Sequence, residues 1–413
     1  MAVVDLISHL DRSVSPAHST FHSAARLRDA GFVEVPFSSW GSRLPGKGFV
    51  RDAGLLLAWN GDRGPFRIVG AHTDSPTLRV KPLPDTGGHG WKQIAVEVYG
   101  GILNNSWLDR DLAVAGRLIL EDGSTVLVDT VDPVARIPQL AVHLDREVND
   151  RGLVLDRQIH LSPVWGLGTS TAGSFLGLVA ERADVPASKI RAHDLVMYDV
   201  TPARLLGDGT LLASGRLDNQ VSCWAATSAI IETASVAGDP TKTFVIALFD
   251  HEEVGSESTH GAAGPQLERL LRALHADDES SFRDRCARSF CVSADNAHSV
   301  HPNYPERHEP GHRPIANAGP VIKSNANQRY ATTAETAAFF EGACRTANVP
   351  VQWFVSRNTM PCGSTIGPIA STRLGIPTVD VGVAQLSMHS AREMCGALDP
   401  DLLMRALVAV GAS

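Results

Sequence analysis

The chain has 413 residues, 43 % of them hydrophobic, and 37 Lys and Arg against 45 Asp and Glu for a formal net charge of -8. That length allows two domains and a substantial core, and the acidic balance argues against a general nucleic-acid binder. No run approaches the roughly 20 apolar residues of a membrane span, and the six cysteines form no Cys-x-x-Cys pair, so neither a zinc knuckle nor a disulfide framework is indicated.

The first residues carry Asp5 and His9 and lack a basic start followed by an apolar stretch, so no cleaved signal is expected and a reducing cytoplasm is the expected compartment. Up to about Arg28 the pattern predicts two helices broken near Ser13-Val14-Ser15-Pro16. A hairpin is predicted, one arm from Gly48 to Asn60 and the other, across Gly61-Asp62-Arg63-Gly64, from Phe66 to His72-Thr73-Asp74. After Lys81-Pro82-Leu83-Pro84 the texture changes: Ile94 to Tyr99 alternates, and Glu121-Asp122-Gly123-Ser124 sits between two apolar runs as a hairpin turn. Residues 84–212 therefore read as a β-rich domain inserted into an α/β domain made of 1–83 and 213–413. The α/β texture resumes with Asp218 and a helix across Val221 to Ala234, a strand from Thr243 to Phe249 and a helix from Gln266 to about Leu274. A strand at Phe290, a helix from Thr332 to Ala347, strands at Val351 to Val355 and Thr378 to Gly382, and a helix from Asp399 complete it. Such alternation favours a mixed sheet covered by helices.

Five separated segments carry metal-binding residue types: His72-Thr73-Asp74, Leu217-Asp218-Asn219, Glu252-Glu253-Val254-Gly255, Ala294-Asp295-Asn296 and Met388-His389-Ser390. Most follow an apolar run that reads as a strand, and in an open α/β sheet the loops after the strands converge on one crevice. Two imidazoles and several carboxylates meeting there suit zinc-type Lewis-acid hydrolysis. A carboxylate such as Asp218 can lend one oxygen to each of two metals, although an Asp before a helix is also a common N-cap. Of the adjacent Glu252 and Glu253, one can bind metal while the other stays free as a general base. His251, His298 and His301 are left outside the metal shell, since histidines in polar loops more often line surfaces or pocket walls.

Other chemistries fit badly. Gly363-Ser364-Thr365-Ile366-Gly367 has its serine at the wrong place for a nucleophile elbow, Gly166-Leu167-Gly168 lacks the frame of a dinucleotide loop, and no phosphate-binding Gly-Lys-Ser/Thr is present.

Taken together, the segments resemble the aspartyl aminopeptidase family of di-zinc metallopeptidases over nearly the whole chain. The resemblance rests on Gly70-Ala71-His72-Thr73-Asp74-Ser75-Pro76, Trp107-Leu108-Asp109-Arg110-Asp111-Leu112, Gly215-Arg216-Leu217-Asp218-Asn219 and Glu252-Glu253-Val254-Gly255-Ser256. It continues through Val321-Ile322-Lys323, Gln328-Arg329-Tyr330-Ala331-Thr332, Pro361-Cys362-Gly363-Ser364-Thr365-Ile366-Gly367-Pro368 and Met388-His389-Ser390-Ala391-Arg392-Glu393-Met394.

The resemblance implies a mixed α/β sheet of the di-zinc aminopeptidase type, interrupted by a β-rich dimerisation domain. It implies two Zn2+ per subunit, with Co2+ or Mn2+ as substitutes: one held by His72 and Asp295, the other by Glu253 and His389, with Asp218 bridging. Glu252 becomes the general base toward a zinc-activated water, and Asp74 orients His72. Substrates would be peptides with a free N-terminus, Asp or Glu preferred, with Lys323 facing the acidic side chain and Tyr330 beside it. His143, in the inserted domain, would reach the active site and substrate of a neighbouring subunit within a tetrahedral dodecamer. His251 departs from the pattern, where a smaller amide-type residue is expected. Two alternatives stay open: an aminopeptidase of the same fold preferring neutral residues, and a catalytically idle self-assembling cargo scaffold.

Overall fold

The computed structural model describes residues 2–235, 241–275 and 278–413. Four apolar segments, Thr243–Phe249, Phe66–His72, Phe290–Ala294 and Thr378–Gly382, lie side by side as parallel strands in that order. Every residue in them is buried, which is why they read as continuous apolar runs without alternation. Successive side chains enter two different cores. Val69, Ile246, Val292 and Val379 pack with helices Leu217–Ser235 and Asp399–Ala412, while Ile68, Val245, Ala247 and Cys291 pack with Gln266–Ala273 and Ile366–Leu374. Strands Leu55–Asn60 and Lys47–Asp52 extend one edge antiparallel, and Val321–Ser324 with Gln352–Val355 extend the other, within a nine-stranded sheet. The hairpin expected across Gly61 to Gly64 does not form: Thr243–Phe249 lies between Leu55–Asn60 and Phe66–His72, and the hairpin partner of Leu55–Asn60 is Lys47–Asp52.

The two N-terminal helices are Ala2–Arg12 and Pro16–Asp29. Ser15 caps the second and Pro16 takes its first turn, so the break falls where the sequence puts it. The helix expected from Thr332 spans Ala334–Thr346, because Thr333 accepts the Thr336 N–H as its cap. Helices Glu279–Ala287 and Ile366–Leu374 were not anticipated.

A second sheet of seven strands runs from Thr77–Gly88 to Ile190–Asp199. Ile190–Asp199 pairs with both Thr77–Gly88 and Asp111–Leu120, which closes the sheet on itself. Its own core holds Leu78, Ile94, Val114, Leu118, Leu195 and Phe175. The hairpin turn at Glu121 to Ser124 joins Asp111–Leu120 to Thr125–Asp129 as expected, with Gly123 at φ 81. The texture change at residue 84 falls inside a strand. Pairing with Trp91–Tyr99 shifts register between Val80 and Asp85, so Lys81-Pro82-Leu83-Pro84 is a bulge, the place where a sheet tolerates prolines. At the other end, Leu211–Ser214 already pairs with Glu393–Gly396, which follows His389. No described helix is long and apolar enough to cross a membrane.

Candidate metal centre

His72 is the last residue of its strand, and Asp295 directly follows Ala294 at the end of the neighbouring one. Glu252 and Glu253 lie on a one-turn 3-10 helix after Thr243–Phe249, bracketed by His251 at φ 64 and Gly255 at φ 99. Asp218 heads the helix Leu217–Ser235, and His389 sits in the loop between Ala384–Leu386 and Glu393–Gly396. The crevice expected at the carboxyl ends of the parallel strands is thus built, and it collects all five segments.

The imidazole orientations decide what the crevice can hold. His72 Nδ1 donates to the Asp74 main-chain carbonyl at 3.1 Å, and His389 Nδ1 donates to the Gly101 carbonyl at 3.0 Å. A carbonyl only accepts, so each Nδ1 carries a proton, and it is the Nε2 edge of each ring that turns inward. His72 Nε2 lies 3.3 Å from Asp218 Oδ1 and 3.4 Å from Asp295 Oδ1. His389 Nε2 lies 3.6 Å from Asp218 Oδ2 and 3.4 Å from Glu253 Oε2. Each Nε2 therefore faces carboxylates, an arrangement that needs either a proton on Nε2 or a cation between the groups. Asp218 Oδ1 and Glu253 Oε1 are buried without a hydrogen-bond partner; although Oδ1 is near His72 Nε2, it is not aligned with a donor. Ligand atoms of His72, Asp218 and Glu253 all lie within 4.8 Å of one another. Two imidazoles and shared carboxylates fit divalent cations of the zinc type.

With no cation between the groups, the electrostatics favour the proton. Burial would depress His72, but the carboxylates of Asp218, Asp295 and Asp74 outweigh it and raise its pKa well above the usual value. His389 is pushed up to about 10 by Asp218 and Glu253 against its own burial. Burial raises Glu252 to about 8, helped by Asp295, Asp74 and Asp218, and burial with Asp218 raises Glu253.

Asp74 is fully buried and takes hydrogen bonds from the main-chain N–H groups of Glu252 and Glu253, each at 3.1 Å, and from Tyr99 Oη at 2.7 Å. Its Oδ1 lies 3.5 Å from His72 Nδ1. Burial would raise this carboxyl, yet His72, Tyr99 and the Glu253 N–H hold it below its usual value. Asp74 thereby joins the histidine strand to the glutamate turn. Tyr99 comes from the second sheet, and nothing in its alternating strand singled it out.

A cavity of about 220 Å³ opens over the cluster; Glu252, Glu253 and Asp295 line it together with His298, Lys323 and Tyr330. Lys323 is 1 % exposed, with Nζ 3.4 Å from Asp295 Oδ2, 3.3 Å from the Asn296 carbonyl and 5.1 Å from the centre of the Tyr330 ring. His298, set aside in the sequence, lines this cavity; its place after Asp295 was the only signal. A further cavity of about 280 Å³ lies behind Asp74, Asp218 and His389, but neither glutamate nor Asp295 lines it, so the chemistry faces the smaller one. His143 is not brought to the site: it is exposed on the loop 138–147 of the second sheet and lines neither cavity. His251 hydrogen-bonds through Nδ1 to Ser258 Oγ at 2.8 Å, outside the cluster.

Residues 9–409 match the family model described as aminopeptidase I zinc metalloprotease (M18). A probable M18 family aminopeptidase 2 of Streptomyces coelicolor is 51 % identical, over 98 % of this chain and 96 % of its own. Among solved structures, the chain in the cryo-EM structure of the Ape4 and Nbr1 complex is 34 % identical with a TM-score of 0.94, over 99 % of this chain and 85 % of that one. The S. cerevisiae mApe1 dodecamer is 28 % identical with a TM-score of 0.84, over 98 % and 95 %.

Proposed function

The chain belongs to the aminopeptidase I zinc metalloprotease (M18) family, and from that premise we propose that it is a di-zinc aminopeptidase removing acidic first residues from peptides. The observation that carries the reading is the pair of inward Nε2 atoms, His72 and His389, facing opposite oxygens of one Asp218 carboxylate. In this reading His72 and Asp295 would hold one ion, Glu253 and His389 the other, and Asp218 would lend an oxygen to each. Bound zinc supplies Lewis acidity toward the substrate carbonyl and toward water.

The chain's own residues do the rest. Glu252 takes a proton from the attacking water and returns it to the leaving amine; burial and its carboxylate neighbours raise this carboxyl, and bound cations would bring it back down so that it is ionised as the base requires. Its main chain is anchored on Asp74, so the base and His72 keep a fixed relation. The crowded carboxylates attract a substrate's free α-ammonium, which favours cleavage at the N-terminus. Lys323, walled in beside Tyr330, offers its ammonium to an acidic first side chain. Neutral first residues would leave that buried cation with Asp295 and the Asn296 carbonyl alone.

We further propose that the chain assembles as a homo-oligomer, in keeping with the yeast mApe1 dodecamer it resembles, and that His143 serves a neighbouring subunit. The cytoplasm suits its free cysteines, five of them buried. A panel of N-terminal aminoacyl substrates, assayed with and without chelator, tests the function directly. Preference for Asp and Glu that chelation abolishes is the expected result. Cleavage of neutral residues first would select the alternative specificity, and no cleavage of any substrate would select the idle scaffold.

A further inference from the structure

We propose that Glu393 is a positioning residue that holds Asp218 and His389 to a common centre, a role that rests on the metal-site reading above. Its side chain is buried, at 2 % exposure. Oε2 accepts the main-chain N–H of Asp218 at 3.0 Å. Oε1 accepts the main-chain N–H of His389 at 2.8 Å and a side-chain N–H of Gln385 at 3.2 Å.

Neither main-chain donor has a place in regular structure. Asp218, at φ -83 and ψ 106, interrupts the helix it heads, and His389 stands at φ 67 in a loop. Buried N–H groups of that kind need an acceptor. Two separate carbonyls would satisfy them but would leave the two loops independent. One carboxylate, with an oxygen for each, ties both to a single rigid group. The ladder explains how this is possible: Glu393 pairs with Ser214, and the loops leaving that rung lead one way to Asp218 and the other way to His389. Tied there, their side chains converge, with His389 Nε2 3.6 Å from Asp218 Oδ2.

The choice of residue argues for more than stability. Burying a carboxylate is costly, and no described lysine or arginine is paired with this one. An apolar side chain would avoid that cost but would leave the Asp218 and His389 N–H groups without their acceptor. What only the carboxylate provides is two acceptors at fixed separation beneath two ligand-bearing loops, the way outer groups commonly fix metal ligands.

The test is a calorimetric titration of chelator-stripped full-length protein with Zn2+, comparing wild type, Glu393→Gln and His389→Asn. The glutamine keeps the shape but puts a donor where one N–H needs an acceptor. Wild type is expected to bind two ions, and His389→Asn to lose one. Glu393→Gln should bind that same ion roughly 10–100-fold more weakly, the usual effect of removing an outer partner, and the other ion more weakly by a smaller factor, since that ion shares Asp218 but keeps His72 and Asp295. A purely structural role would lower the melting temperature and leave both affinities alone, and that result overturns the proposal. If Glu393→Gln fails to fold, Glu393→Asp keeps the charge but is too short to span both N–H groups, and the same weakening is expected of it. Wild type binding fewer than two ions would instead overturn the metal-site reading itself.

Discussion

At the carboxyl ends of the parallel strands, His72, Asp74, Asp218 and Asp295 are buried, and each faces another member of the cluster. The loop 138–147 of the second sheet is the opposite: His143 is exposed there, and Leu140, Val142 and Leu144 are 57 %, 48 % and 75 % exposed. Both regions bear on the proposed reaction, and in that proposal only the first is finished within one chain. A site made by one chain shows itself as mutual satisfaction of awkward groups. A contribution made to another chain shows itself as apolar surface with nothing against it. The comparison can be broken at either end.

The largest effect is expected from removing metal. Thorough chelation should abolish peptidase activity, and zinc, cobalt or manganese should restore it, because imidazole and carboxylate sites accept several divalent ions. Full activity with metal analysis showing none bound would end the account of the crevice.

Next come the adjacent glutamates. Glu252→Gln should lower kcat by roughly 10²–10⁴ with metal content near normal, the usual scale for a general base. Glu253→Gln should instead lower metal occupancy, since Glu253 Oε2 lies 3.4 Å from His389 Nε2. Swapped outcomes would reverse the two roles.

The exposed loop makes the contrasting prediction. His143→Phe should disable catalysis while leaving metal occupancy intact, because the loop lies outside the cluster in its own chain. Mixing His143→Phe chains with Glu252→Gln chains, under conditions where subunits exchange, should recover activity neither variant has alone. Loss of metal in His143→Phe would place that histidine among the ligands and erase the distinction between the two regions.

The two regions also differ in how far the sequence discloses them. His72, Glu252 and Asp295 were legible because each follows an apolar run, and a fully buried parallel strand delivers its next residues to the crevice. The break before Pro16 was legible from local capping chemistry. The strand continuing through residue 84 was not legible because prolines that interrupt a strand as a bulge look the same, locally, as prolines that end one. Closure of the second sheet depends on Ile190–Asp199 pairing with two distant strands, which no local pattern encodes. Tyr99 and Glu393 escaped for a related reason. Their importance lies in which N–H or carboxylate they meet, and that is settled only when loops from several strands come together.

The smallest effect, and the most specific, concerns Lys323. An ammonium meeting an acidic side chain in a poorly solvated pocket forms a charge-assisted bond worth about 1.5–3 kcal/mol. At about 1.4 kcal/mol per factor of ten, that is roughly 10- to 100-fold in kcat/KM. Lys323→Met should lower kcat/KM by that factor on N-terminal Asp and Glu substrates and change neutral ones little. The structure adds a condition, because Lys323 Nζ also lies 3.4 Å from Asp295 Oδ2. Removing it takes a neighbouring positive charge from a proposed ligand, so metal content must be measured alongside. Loss of metal would lower both substrate classes together, whereas loss of specificity lowers only the acidic one. If the wild type already prefers Leu or Lys over Asp and Glu, Lys323 serves Asp295 rather than the substrate, and the acidic preference falls while the metal centre stands.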